Sequence, residues 1–235
     1  MTTAPPDFPT TDRTTIGRAP ERGSSRRDVA YAILDEALVC HVGVSTDRGP
    51  VVIPTTFARI GDDLVIHGAP AATWLRSTSK GTPVCVTVTL IDGLVLARST
   101  FHHSMNYRSV VVFGDAVPVT DRDEKAVALD AFVERMIPGR VAEVRPTTEE
   151  ELRTTLVVRV PLAEASTKIR TGGANDDPAD AGGPGWAGVV PLAATAGRAV
   201  VADDVAPEAR TPPASVRAFV ARHRGPASET ETVVG

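Results

Sequence analysis

The residues with the most chemistry in this chain fall in a few places. Residues 99–114, STFHHSMNYRSVVVFG, set Ser99, His102, His103, Asn106, Tyr107, Arg108 and Ser109 ahead of and into a valine-rich run. Ser99, Asn106, Tyr107 and Ser109 supply neutral donors and Arg108 a fixed cation. Such a set hydrogen-bonds a heteroaromatic ring edge or a phosphate rather than moving protons. His67 ends an apolar run just before Gly68, at the expected mouth of a barrel. An imidazole there either donates a proton near neutral pH or merely satisfies a carbonyl at the rim. The next stretch holds Thr73, Ser77, Thr78, Ser79 and the cations Arg76 and Lys80. It suits a phosphate near a helix start, or reads as a solvated helix face. Trp186 follows a Gly/Pro-rich loop, either as a lid over a flat ligand or as an anchor for that loop.

Other chemistries fit less well. His102 and His103 are adjacent and would point opposite ways on a strand, with no Cys-x-x-Cys or His-x-x-x-His spacing to complete a zinc site. Ser104 next to His103 lacks a nucleophile elbow. The net charge is −4 with no lysine/arginine block, which argues against a nucleic-acid surface. No apolar run reaches the roughly 20 residues of a membrane span. The first residues carry no apolar signal core. Cys40 and Cys85 each sit in a strand-like run and read as core thiols of a reducing compartment, so the expected location is the cytoplasm.

The elements that must position these groups are mostly strands. Residues 1–24 read as a disordered arm, 25–195 as the main domain, 196–224 as an extension with a helix, and 225–235 as a disordered tail. A helix is expected over SSRRDVAYAILDEAL, capped by Ser24 or Ser25, with Val29, Ala30, Ile33, Leu34 and Leu38 as its stripe. Three β-branched runs between residues 39 and 68 read as a meander. The segments 82–90 and 94–100, joined by a turn at 91–93, read as a second hairpin, and 108–120 as a further strand that bends at Gly114. A second helix follows, capped by Asp121, with Val127, Leu129, Phe132, Val133 and Met136 expected on its apolar face. A last helix is expected to pack through Val216, Phe219 and Val220. Six or seven short antiparallel strands with few helices predict a mainly β fold, a barrel with peripheral helices. No Gly-rich strand-to-helix turn supports a dinucleotide-binding α/β domain.

Taken in order, CHVGVST, VVIPTTFARIGDDLVIHGAP, VCVTVTLIDGLVLARSTFHHSMNYRSVVVFG and WAGVVPL resemble the pyridoxamine 5′-phosphate oxidase-like proteins, in particular the branch with the 5-nitroimidazole-resistance proteins. The resemblance runs over about residues 25–195. It implies an FMN-binding split β-barrel, a homodimer with flavin in a cleft between subunits, and an FMN-dependent oxidoreductase acting on nitroaromatic or quinone-like small molecules. It implies backbone contacts to the flavin ring from Ile53, Pro54 and Thr55. A phosphate would lie near His67, Gly68 and Ala69, with Arg76 or Lys80 as its cation. Further cofactor contacts are implied for Ser99, Asn106, Tyr107, Arg108, Ser109 and Trp186. His67 would face the substrate as the catalytic group. Relatives commonly place a serine and a basic residue where this chain has Ala71, Ala72 and Thr73, so deazaflavin or haem stands as an alternative cofactor. The corresponding alternative function is a non-catalytic flavin-, deazaflavin- or haem-binding protein.

Overall fold

The computed structural model describes residues 6–78 and 81–225. A 3-10 turn at Pro20–Arg22 leads into β1 (Gly23–Ser24), α1 (Arg27–Glu36), β2 (Val39–Thr46), β3 (Gly49–Thr56), β4 (Ala58–Ile60), β5 (Asp63–Gly68) and α2 (Thr73–Thr78). There follow β6 (Thr82–Leu96), β7 (Ser104–Pro118), α3 (Arg122–Met136), α4 (Glu149–Arg153), β8 (Leu156–Pro161), β9 (Glu164–Arg170), β10 (Gly188–Pro191) and α5 (Ala214–Arg222). The strands pair antiparallel along the path β3-β2-β6-β7-β8-β5-β4, with β9 and β10 added beside β7 and β6. This is a split barrel with peripheral helices: the strand pattern predicts the barrel and the resemblance implies the split, although the sheet has ten strands rather than six or seven.

Period-two alternation builds it. Cys40, Val42 and Val44 of β2, Val84, Val86 and Val88 of β6, and Val110 and Val112 of β7 turn inward and are buried. Phe57, Leu64, Ile66, Ile33, Leu34 and Leu75 fill the space between them. The split comes from β7. Its one edge pairs with β6 throughout, while the other pairs with β9 over 107–113 and with β8 at 117–118. The changeover falls at Gly114, where an added Cβ would lie 3.1 Å from Val160 and 3.4 Å from the Pro161 carbonyl. A side chain there would push the two sheets apart.

Five expectations about the elements need correction. The N-cap of α1 is Arg26, with no side-chain cap bond, rather than Ser24 or Ser25. The turn expected at 91–93 is a bulge within one continuous strand, β6. The meander is not continuous: β2 and β3 form a hairpin, and then the buried Phe57 ends the pairing. β4 and β5 form a second hairpin that joins β8 instead. The arm is not without structure in its described part. Phe8 is only 3% exposed and its N–H donates to the Ser25 carbonyl at 2.8 Å. The Arg27 guanidinium stacks 4.3 Å over its ring, and Thr11 and Arg13 hold Glu164. One buried aromatic outweighs a Pro/Thr-rich composition. On α3, Asp121 accepts from the N–H groups of Asp123 and Glu124 as expected, but Ala128 and Phe132 face the core while Val127 and Met136 are exposed. The last residues expected as a tail, 226–235, lie outside the described residues, as do residues 1–5 and Lys80.

A second, smaller core lies outside the barrel. Ala58, Val65, Val119 and Val157 form its sheet side, and Ala128 and Phe132 of α3 cover it. Among the described residues no helix is long and apolar enough to cross a membrane.

Candidate functional site

Alternation separates the residues of the 99–109 segment. Tyr107 and Ser109 share the outer face of the sheet, opposite Ile91 and Thr89 of β6. Pro54 stands on the same face two strands away, through His41 and Thr87. The neighbours of Pro54, Ile53 and Thr55, turn to the barrel side with Val42 and Cys40. The outer strip of Pro54, Thr87, Thr89, Tyr107 and Ser109 could lie against a flat ring.

Arg108 turns the other way, and this overturns its expected role as an anion binder. A β-bulge between Ile91 and Gly93 inserts Asp92 into β6 and aims it at the guanidinium. Arg108 Nε and Nη2 donate to Asp92 at 2.9 and 2.7 Å, Nη2 also donates to Glu36 at 2.8 Å, and Nη1 bonds Glu36 as well. Two carboxylates neutralise the cation and hold it in the protonated form. Asn106 is likewise structural: its amide donates to the Gly172 carbonyl at 3.1 Å and its Oδ1 accepts from Arg170 at 2.6 Å. Ser109 donates to the Lys168 carbonyl at 3.3 Å. Ser99 differs, since its hydroxyl is buried with no partner.

Trp186 is 66% exposed and lies against Gly188 at the start of β10. Its loop is tied down, because Asp176 accepts from the Arg98 N–H at 2.8 Å and from the Arg98 guanidinium at 2.5 Å. Gly68 closes β5 where α2 packs, and its missing Cβ would sit 3.0 Å from Leu75. Ala69 is exposed, and its carbonyl accepts from Ala72 N–H at 2.9 Å in the turn into α2. Arg76 is exposed on α2, a helix of only six residues.

His67 is not at the barrel mouth. On β5, Leu64 and Ile66 turn into the barrel, so Val65 and His67 face outward beneath α3. The His67 ring lies 4.2 Å from that of Phe132, and its Nδ1 is buried without a partner. Burial lowers its pKa from the usual histidine value, since it disfavours the charged imidazolium. The ring lines a cleft of about 470 Å³ together with Leu129, Phe132, Val133, Met136, Val144 and Arg145, with Thr147, Glu151 and Thr155 around them. Arg145 and Glu151 pair at 2.6 and 2.9 Å, and the guanidinium holds Glu151 down at about 2. His67 is therefore remote in the fold from Tyr107 and Ser109. The former adjoins β8, which meets β7 at 117–118; the latter open the other end of β7.

Sequence reasoning singled out His67 but missed this cleft. Its signal was the apolar excess on α3: Leu129, Val133 and Met136 lie beyond the stripe needed to cover a sheet. Among the described residues no group of three or more His, Cys, Asp or Glu could hold a bare metal ion. A porphyrin brings four ligands of its own, so one neutral imidazole in an apolar cleft suffices for its iron. The residues present thus fit a haem.

Comparison with known proteins gives the context. The sequence profile described as pyridoxamine 5′-phosphate oxidase matches residues 26–169. The FAD and haem binding protein of Mycobacterium smegmatis is 40% identical, with a TM-score of 0.80 over 84% of this chain and 97% of that one. The flavocytochrome Anf3 of Azotobacter vinelandii is 35% identical, with a TM-score of 0.84 over 91% and 99%. A protein described as a 5-nitroimidazole antibiotic resistance protein of Bacteroides thetaiotaomicron shares the fold, at 24% identity and a TM-score of 0.53 over 63% and 86%. No curated protein sequence matches significantly. The profile covers more than half of the chain, on a split barrel with an outer strip suited to a flat ring, and so the chain belongs to the pyridoxamine 5′-phosphate oxidase family, a family of flavin-binding proteins.

Proposed function

We propose that this protein is a redox protein that carries a flavin and a haem, the haem in the His67 cleft. The carrying observation is the single imidazole that lines an apolar cleft between β5 and α3, its Nδ1 buried without a partner. Two relatives at 35–40% identity named for flavin and haem support it. Bound haem supplies one-electron chemistry, and bound flavin accepts or delivers electron pairs. The chain's own residues do the rest. His67 offers a lone pair because burial disfavours its protonation. Leu129, Phe132, Val133 and Met136 exclude water, while Arg145 is held by Glu151. The same burial disfavours His67 as a general acid near neutral pH, so a ligand role suits it better than the catalytic proton transfer that the family resemblance implied.

The flavin belongs to the outer strip around Tyr107 and Ser109. FMN is what the resemblance implies, and FAD is the form named for the Mycobacterium relative. The active form is a homodimer. Phe101 is 88% exposed, and Met105, Leu94, Ile91, Val190 and Leu192 form a contiguous apolar surface next to the strip. A surface of that kind is normally covered by a partner. Reduction of nitroaromatic or quinone-like molecules would then draw on the flavin.

The absorption spectrum of the purified protein tests this reading. The expected result is the visible bands of oxidised flavin together with a haem Soret band, the latter restored by added hemin if lost in purification. Flavin bands with no Soret band after hemin addition would leave the flavin oxidoreductase and remove the haem.

A further inference from the structure

A second cleft, of about 410 Å³, lies where β9 ends beside Tyr107, toward the other end of β7 from the strands next to His67. It is lined by Glu21, Arg22, Ile169, Arg170, Thr171, Gly173, Ala174 and Asn175. Its floor is unusual. Arg170, the last residue of β9, is 8% exposed, yet no carboxylate among the described residues lies within ion-pair distance of it. Its guanidinium is held by two neutral oxygens, Asn106 Oδ1 at 2.6 Å and the Gly173 carbonyl at 3.1 Å. These use two of its five N–H groups. A buried cation without a counter-charge is costly, and proteins either pair such a group or use it to bind an anion. Arg22 lines the same cleft as a second cation. Its acidic neighbour Glu21 is largely exposed and meets Arg22 Nε only at 3.6 Å. Gly172, at φ +100°, turns the chain so that residues 173–175 border the cleft. Asn106 matters here as a clamp, because it fixes the plane of the Arg170 guanidinium from β7.

We propose that Arg170 and Arg22 form an anion site for a phosphate or pyrophosphate group. The flavin nucleotide is its first candidate ligand. The cleft adjoins the strip, since Arg170 pairs in register with Tyr107. Arg108, which the resemblance implies as a cofactor contact, is instead neutralised by two carboxylates. The anion site stands on the buried cation alone, whereas its assignment to the flavin rests on the flavin reading above.

Two measurements on the full chain test it, in wild type, Arg22→Gln, Arg170→Lys and Arg170→Gln. The first is the thermal shift given by inorganic pyrophosphate; the second is the affinity for FAD compared with riboflavin, read by flavin fluorescence. Pyrophosphate is expected to raise the wild-type melting temperature saturably. Removing either guanidinium takes away charge-assisted hydrogen bonds to the anion and should weaken pyrophosphate binding by roughly ten- to a hundred-fold, with Arg170→Lys less affected than Arg170→Gln. The preference for FAD over riboflavin should fall in parallel. If it stays at the wild-type value while the variants no longer bind pyrophosphate, the site holds and belongs to a free phosphate ester. Should no flavin bind at all, the pyrophosphate arm still decides. No saturable shift in wild type, or equal shifts in wild type and the Arg22→Gln variant, overturns the proposal. Arg22→Gln keeps the test decisive even if Arg170→Gln fails to fold.

Discussion

Arg108→Gln separates a cofactor-binding arginine from a structural one. Arg108 is 27% exposed, Asp92 31% and Glu36 54%. An ion pair with a mostly exposed partner contributes about 0.5 kcal/mol, so the Glu36 contact is minor. The Asp92 contact is two-pronged and two-thirds buried, and a hydrogen bond to a charged group there is worth about 1.5 kcal/mol. Their sum is about 2 kcal/mol. Urea unfolding of the flavin-free protein should show that loss at an unchanged denaturant slope. Double-mutant cycles with Asp92→Asn and Glu36→Gln should return couplings in the same order, Asp92 the larger. Flavin affinity should change less than about twofold, because the guanidinium faces the barrel side. A tenfold or greater loss of flavin affinity, with stability within about 0.5 kcal/mol of wild type, would refute the assignment.

Phe132→Ala empties a site that is 3% exposed and removes the ring against His67, so it should cost about 3–5 kcal/mol in chemical unfolding; a loss under about 1 kcal/mol would mean that α3 does not close the second core. The Cys40 thiol is pushed up to about 12 by burial, so iodoacetamide at pH 8 should leave it unmodified in the native protein and label it after denaturation, as mass spectrometry of the peptide would show. Glu36 is held below the usual carboxylate range by Arg108. Its contribution is present above its unfolded pKa of about 4.3 and is lost as pH falls through the lower folded value, so Glu36→Gln should flatten part of the drop in melting temperature below that pH. An acid limb unchanged in the variant would exclude the linkage.

The barrel was legible because alternating valines in β2, β6 and β7 leave one arrangement that buries them. The Asp121 cap of α3 was legible for the same local reason. What sequence hid was long-range. Nothing near Phe57 says that the chain leaves one sheet there for another, so His67 was expected at a rim and lies under α3. Arg108 looked available because its two carboxylates come from α1 and from a bulge sixteen residues back. Arg170 drew no notice because a buried cation is visible only once its surroundings are. Phe8 shows the converse, where one apolar residue in a polar arm decided the arm's place.

The central claim is that His67 ligates a haem, and a hemin titration of wild type and His67→Ala, matched for folding by melting temperature, tests it most directly. Wild type is expected to saturate at one haem per chain with a Soret band shifted from that of free hemin, and His67→Ala to bind at least about tenfold more weakly without that shift. Identical titrations and spectra for the two proteins, or no saturable binding in wild type, would contradict the account.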